Sequence, residues 1–261
     1  MFFLTKAPIW IAAVLVVLIT VASMFGPVLV RRRLGLEWLR TNNEVAGFKF
    51  ATVGVIYAVL LGFAVITVWD KFTEAEATVS LEAGAAATVF RLANGIDAEA
   101  SSALRAGITG YLRAAITQDW PAMQLGRGSP EATRALGATY TALLRYQPTD
   151  LKGAALMTEL LHQLDLVTQA RRARVVMSAG IVPGIVWAVL FGGALITIGF
   201  TFLFGTKNLY AQAIMTGALS ILIFSALLVI IAIDHPFAGS VSVESEPLAA
   251  VLSELGSDRN P

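Results

Sequence analysis

The sequence has no cysteine, so disulfides, thiolate metal centres, redox pairs and cysteine nucleophiles are excluded, and the redox compartment cannot be read from it. Histidine is almost as scarce: the two copies, His162 and His235, stand far apart, in neither a zinc-ligand nor a nucleophile–base spacing. Charge is thin as well. Only 14% of residues are Asp, Glu, Lys or Arg, whereas soluble domains carry about 25%. The net charge is +1 with no basic tract interleaved with aromatics, so the electrostatic footprint of nucleic-acid binding is missing and no nucleic-acid partner is expected. No Gly-x-Ser-x-Gly elbow or phosphate-cradling glycine loop is present. Catalytic groups with matched roles are lacking, so an enzyme is not expected.

What the chain has in quantity is apolar surface: 56% of its 261 residues are hydrophobic. A helix crossing a hydrocarbon core of about 30 Å needs roughly 20 mainly apolar residues, and four runs qualify. They are Pro8 to Val30, which holds no charge and ends at Arg31, Arg32 and Arg33; a run from about 48 to 69; another from about 181 to 204; and Ala211 to Ile233. Trp10, Trp69 and Tyr210 stand near the ends, where amphipathic rings favour the headgroup level. A secretory signal is the alternative for the first run, with Val21, Ala22 and Ser23 at a cleavage point. Its apolar length exceeds the roughly 7 to 15 residues of a signal core, however, and a retained anchor is the better reading.

These runs predict an all-α polytopic membrane protein: a first transmembrane hairpin in 1–70, a helical extramembrane region in 71–180, a second hairpin in 181–233 and a C-terminal tail in 234–261. The lipid bilayer is its first partner and a multi-pass position in the cell membrane its location. Downstream of the second run, "DKFTEAEATVSLEAGAAATVFRLANG" is proline-free and rich in Ala and Glu until Asn94-Gly95, so the second span is expected to leave the bilayer as one long helix. Ser129 and Pro130 have the pattern of an N-cap and first helical residue. Met157, Leu160, Leu161, Leu164 and Val167 form one stripe that leads to Arg171, Arg172 and Arg174.

Orientation is nearly balanced by charge. The loops joining paired spans hold Arg31, Arg32, Arg33, Arg40, Lys49 and Lys207, against Lys6, Lys71, Arg171, Arg172 and Arg174 on the other side. The arginine triplet favours the loops inside and the middle region outside.

Several positions carry competing readings. Asp70, Glu74, Glu76 and Glu82 after the second span are either solvated helix faces or a charged vestibule, with Asp70 and Glu74 the vestibule candidates. His162 beside Asp165 reads as a solvated pair. Ala58 and Gly62, and Ala188 and Gly192, are small residues four apart that let helices approach closely or, in an oligomer, line a pore. Asp234, Glu244 and Glu246 offer the oxygen ligands calcium prefers, though without an EF-hand pattern. The plainer account of Asp234-His235-Pro236 is a helix stop. The span interiors hold no Asp, Glu, Lys, Arg or His, Lys49 lying near an end where it can snorkel, which argues against a proton relay or voltage sensor. A passive conduit needs none.

Taken in order, "NNEVAGFKFATVGVIYAVLLGFAVITVWDKFTEAEATVSLEAGAAATVFRLA", "QDWPAM", "VPGIVWAVLFGGALITIGFTFLFG" and "DHPFAG" resemble the bestrophin-like family of prokaryotic membrane proteins, designated a domain of unknown function. That family is distantly similar to bestrophins, pentameric anion channels with four spans and a helical cytosolic region between the second and third. The resemblance implies a homo-oligomer, inorganic ions as partners, and a middle region on the cytosolic side, opposite to what the arginine triplet favours. It makes Asp234, His235, Pro236, Phe237 and Gly239 the family motif. Glu244 and Glu246 stand where bestrophins carry an acidic calcium clasp, though the dense acidic run of that clasp is absent here; otherwise no cofactor is expected. Two functions follow as expectations. One is an ion channel, for anions by the resemblance, with Thr52, Tyr57, Gly62 and Thr67 of the second span lining the path on one axial face. The other is a non-conducting scaffold or sensor whose middle domain binds a partner through an exposed apolar patch.

Overall fold

The computed structural model describes residues 9–41 and 43–257, so Lys6, Pro8 and the end of the tail lie outside the described residues. Among these, every regular element is helical. Four helices are long and apolar enough to cross a membrane.

Helix α1 runs Ile9–Leu34, four residues beyond the expected end. Arg31, Arg32 and Arg33 occupy its last turn, where cations complement the helix dipole. The stop is Gly35, at φ +78°, whose N–H donates to the Arg31 carbonyl at 3.1 Å. A short α2 (Leu36–Thr41) precedes α3, which runs unbroken from Asn43 to Leu92. Its 50 residues at 1.5 Å each span about 75 Å, more than twice a hydrocarbon core. The second span therefore does continue as one helix, closed by a 3₁₀ turn at Ala93–Gly95.

The next helix, α4 (Ala98–Ala114), starts on Asp97, whose carboxylate accepts the Ala100 N–H at 2.9 Å. It buries Leu104, Ile108, Tyr111 and Leu112 on one stripe. A π-helical turn, Ala115–Asp119, leads into the short α5 (Trp120–Met123). Helix α6 (Pro130–Leu144) begins as the sequence suggests, with the Ser129 hydroxyl accepting from the Glu131 and Ala132 N–H groups. Helix α7 (Leu151–Met177) is capped by Asp150. Then come α8 (Gly184–Thr201), α9 (Leu209–Ile233) and α10 (Glu246–Ser257). Helix α8 is shorter than its apolar run because Pro183 serves as N-cap and the chain turns at Phe202.

Two compact units result: residues up to Asp70 together with Ile181–Asp234, and Lys71–Gly180 together with the chain from His235 onward. In the first unit α1 packs along α9, where Gly217 admits the Met24 side chain. Tyr57 of α3 is buried, donates its hydroxyl to the Leu190 carbonyl at 3.0 Å and lays its ring on Gly193. Close approach thus uses Gly193 and Gly217. At Gly62 or Gly192, a Cβ would meet nothing within 4 Å, and Ala58 and Ala188 are exposed, so the expected small-residue contacts are not made within the chain.

In the second unit α4 and α6 pair closely, with Gly107 against Thr139. The stretch read as a tail is part of this unit: Phe237, Ala238, Val243, Leu248 and Leu255 are buried, and α10 packs against α4. Leu248 and Leu255, two turns apart on one helix face, supply the apolar stripe that holds it there.

Candidate functional site

The second unit is organised around four ionised side chains. Glu82 comes from the outer half of α3, Asp119 from the π turn, and Arg171 and Arg174 from the last turns of α7. Glu82, Asp119 and Arg174 are fully buried and Arg171 nearly so. Arg174 grips Glu82 with both ends of its fork, Nε to Oε2 at 2.8 Å and Nη2 to Oε1 at 2.9 Å, and Nη2 also reaches Asp119 Oδ2 at 3.3 Å. Arg171 holds Asp119 in the same two-pronged way, at 2.7 and 3.1 Å. Two carboxylates thus face two guanidiniums in bidentate geometry, the arrangement in which buried ion pairs are best compensated.

The remaining valences are filled by neighbours. Tyr111 donates to Glu82 Oε1 at 2.5 Å, the Ser129 N–H to Asp119 Oδ1 at 2.7 Å, and Arg171 Nη2 to the Ser129 carbonyl and Thr133 hydroxyl, both at 3.0 Å. Burial, then the adjacent Glu82 charge, pushes the Tyr111 phenol well above its usual range. For Arg174 burial acts to lower the pKa, but the charge and hydrogen bonds of Glu82 outweigh it, and the net direction is upward. The guanidinium is held charged.

Aromatic contacts extend the cluster. Arg174 lies 4.5 Å from the centroid of the Trp120 ring, a cation–π distance. Trp120 meets Phe237 edge to face at 5.9 Å between centroids and donates its indole N–H to the Val243 carbonyl at 3.3 Å. The "QDWPAM" and "DHPFAG" segments are therefore two halves of one packed contact. The loop that delivers Phe237 is held by Ala238 N–H to the His235 carbonyl at 3.0 Å, by Val243 N–H to the Pro236 carbonyl at 2.7 Å, and by Gly239 at φ +103°. Gly180, also at φ +103°, leaves room for the His235 ring.

A family model for the bestrophin-like domain matches residues 16–248 of this chain. The chain belongs to the bestrophin-like family. Solved structures agree in fold. A point variant of a bacterial bestrophin homologue from Klebsiella pneumoniae matches with a TM-score of 0.72 at 14% identity, over 98% of this chain and 100% of that one. A second variant of that homologue gives 0.70 at 14% identity with the same coverage. A structure described as a membrane protein point variant gives 0.71 at 13% identity, over 95% of this chain and 98% of that one. No curated protein sequence matches the chain.

On this bestrophin-like fold the sequence-derived candidates fall as follows. At about 100° per residue, Thr52, Tyr57, Gly62 and Thr67 do not share one axial face. Thr52, Gly62 and Thr67 are on the exposed side of α3, whereas Tyr57 is turned inward onto α8. Asp70 and Glu74 are exposed, and Glu74 is paired with Lys71 at 2.6 Å. Glu82 fits neither the solvated nor the vestibule reading, being the buried partner of Arg174. Arg171 and Arg174, counted from sequence as membrane-flanking cations, are neutralised inside the second unit. Asp165 accepts from Gln169 at 2.6 Å, while His162 is exposed.

Asp234 works as a backbone acceptor in the first unit. Its Oδ1 takes the Ile181 and Val182 N–H groups at 3.1 and 2.7 Å, fixing the entry to α8. Among the described residues no group of three His, Asp or Glu side chains is placed to hold a metal.

The cluster was missed for a definable reason. Glu82 sits between Val79 and Ala86 on the buried stripe of α3, and Arg171 and Arg174 continue the spacing of Leu160, Leu164 and Val167. Charges falling in phase with an apolar stripe were the available signal.

Proposed function

We propose that several copies of this chain assemble into an ion channel of the cell membrane, with the outward face of α3 lining the path. The supporting observation is the composition of that face. At helical spacing it presents Thr52, Val59, Phe63, Ile66, Asp70 and Glu74, and the central three are 51%, 66% and 57% exposed. An uncharged, bulky apolar stretch between polar ends is what a constriction that gates by dewetting requires. Ala58 and Gly62 of α3 and Ala188 and Gly192 of α8 are left open for contact with neighbouring copies.

The resemblance to bestrophins implies anions. Asp70 and Glu74 are exposed on the same line as Phe63, with Glu74 paired to Lys71. Flux from liposomes holding the purified oligomer, read with a halide-sensitive and a cation-sensitive dye, tests conduction and its sign together. An intact oligomer that passes neither class of ion would sink the channel reading.

The scaffold alternative draws little support. The exposed large apolar residues of 71–180 are Leu81, Leu125, Leu144, Leu151 and Val176, scattered singly, with Leu151 and Val176 at opposite ends of α7, as on ordinary surfaces.

A further inference from the structure

The first unit carries a half-open cavity of about 430 Å³ between α3, α8 and α9, walled by Phe50, Thr201, Phe204, Met215, Thr216 and Leu219. That volume falls in the range of about 300–1,000 Å³ typical of small-molecule sites. The polar atoms around it are engaged with one another. Asn43 exchanges two hydrogen bonds with the Gly205 backbone, both 2.9 Å. Gln212 donates to the Phe204 and Thr201 carbonyls at 2.6 and 3.2 Å. The Thr216 hydroxyl bonds that of Thr201 at 3.2 Å. What the wall offers a ligand is hydrocarbon.

The rim is the opposite. Thr206, also part of the lining, accepts from Arg31 Nη1 at 3.2 Å, and Arg40 abuts Gly205, the residue between Phe204 and Thr206. Near these in sequence, Arg32 and Arg33 are exposed in the last turn of α1, Arg40 in α2 and Lys207 beside Thr206, against Glu37 of α2 and Glu44 of α3. Trp38 of α2 and Tyr210, in the first turn of α9, are 55% and 76% exposed, as amphipathic rings are at a bilayer interface. An apolar slot at headgroup level, edged by a net positive rim, matches a molecule with a hydrocarbon chain and a negative head.

We infer that this cavity binds an anionic diacyl phospholipid of the surrounding bilayer, one acyl chain in the slot and the headgroup phosphate on Arg32, Arg33, Arg40 and Lys207. The inference requires that the first unit lie in a membrane and is independent of conduction.

The test uses the detergent-purified full chain. Native mass spectrometry counts bound lipid, and thermal unfolding is followed with phosphatidylglycerol, phosphatidylcholine or inorganic phosphate added. Phosphatidylglycerol is expected to remain bound and to raise the midpoint, phosphatidylcholine to do so far less, and phosphate not at all. Each exposed cation removed in a series built from R32Q, R33Q and K207Q should weaken phosphatidylglycerol about fivefold, from about 1 kcal/mol per basic residue. Leu219→Trp, which fills the slot, should abolish retention; should it not fold, Met215→Trp on the exposed side of the same wall replaces it. Equal retention of the two lipids, stabilisation by phosphate alone, or unchanged binding in the slot-filling variant would each overturn the proposal. So would loss of the oligomer in that variant with no lipid effect in the wild type, which would assign the slot to a second copy.

Discussion

Arg174 and Glu82, 92 positions apart, are joined by two hydrogen bonds of 2.8 and 2.9 Å with both side chains fully buried. One comes from the helix that continues the second span, the other from the last turns of the helix that leads to the third. A buried pair of this kind costs desolvation to form, so its net worth is small, but breaking it from one side is expensive.

Arg174→Met is therefore expected to destabilise the second unit by about 3–5 kcal/mol, because Glu82 is left charged and Asp119 loses one of its two cations. Glu82→Gln should cost a similar amount. The double variant should cost clearly less than the sum of the two, as coupled residues do. Chemical unfolding of the three proteins measures this, and strict additivity would show that the pair is not coupled.

Tyr111 gives the cluster a pH dependence. Its pKa is raised on folding above the ordinary 10.0, so the folded state holds the phenolic proton more tightly than the unfolded chain does. That contribution is fully present below about pH 10 and is lost as pH rises above it. The unfolding midpoint should fall more steeply above pH 10 in the wild type than in Tyr111→Phe. Parallel curves would mean that Tyr111 contributes nothing through its proton.

The membrane unit makes a sharper steric prediction. A methyl at Gly193 would collide with the Tyr57 ring, whereas one at Gly62 meets nothing within 4 Å. Gly193→Ala should cost about 1–3 kcal/mol as an overpacked contact, and Gly62→Ala should leave the stability of a single chain nearly unchanged. Melting of both variants in detergent tests the pair of statements.

Topology can be read with thiol labelling, since the chain has no cysteine of its own. Single cysteines at the exposed positions Arg32 and Arg145 should react from opposite sides of the membrane. Labelling of Arg32→Cys from the cytoplasm would follow the arginine balance, and labelling from outside would follow the bestrophin resemblance. Reaction of both from one side would contradict four spans.

The features legible in the sequence are those set by local chemistry. The length of α3 follows from its proline-free, alanine-rich continuation, the start of α6 from Ser129 and Pro130, and the spans from sustained apolarity. The features that were not legible depend on partners far away in the chain. Arg171 and Arg174 read as cations at the end of a helix, and only their phase with Leu164 and Val167 hinted at burial. Tyr57 belonged by residue type among pore candidates, but at about 140° from Thr52 it faces α8. Asp234 had the right atoms for a metal, and one of them, Oδ1, accepts from the backbone of Ile181 and Val182, a local role that only the fold shows. Phe237 was recognised by its motif, yet the motif's physical purpose, an edge-to-face contact with Trp120, required the fold.

The central claim is that the outward face of α3 lines a conducting path with its narrowest apolar point near Phe63. Ion flux from liposomes containing the wild-type oligomer and Phe63→Ala tests it most directly. The account predicts measurable flux in the wild type and faster flux in Phe63→Ala, because a smaller side chain lowers the dewetting barrier. An intact, reconstituted oligomer that passes no ion in either form, or flux unaltered by changes at Val59, Phe63 and Ile66, would contradict it.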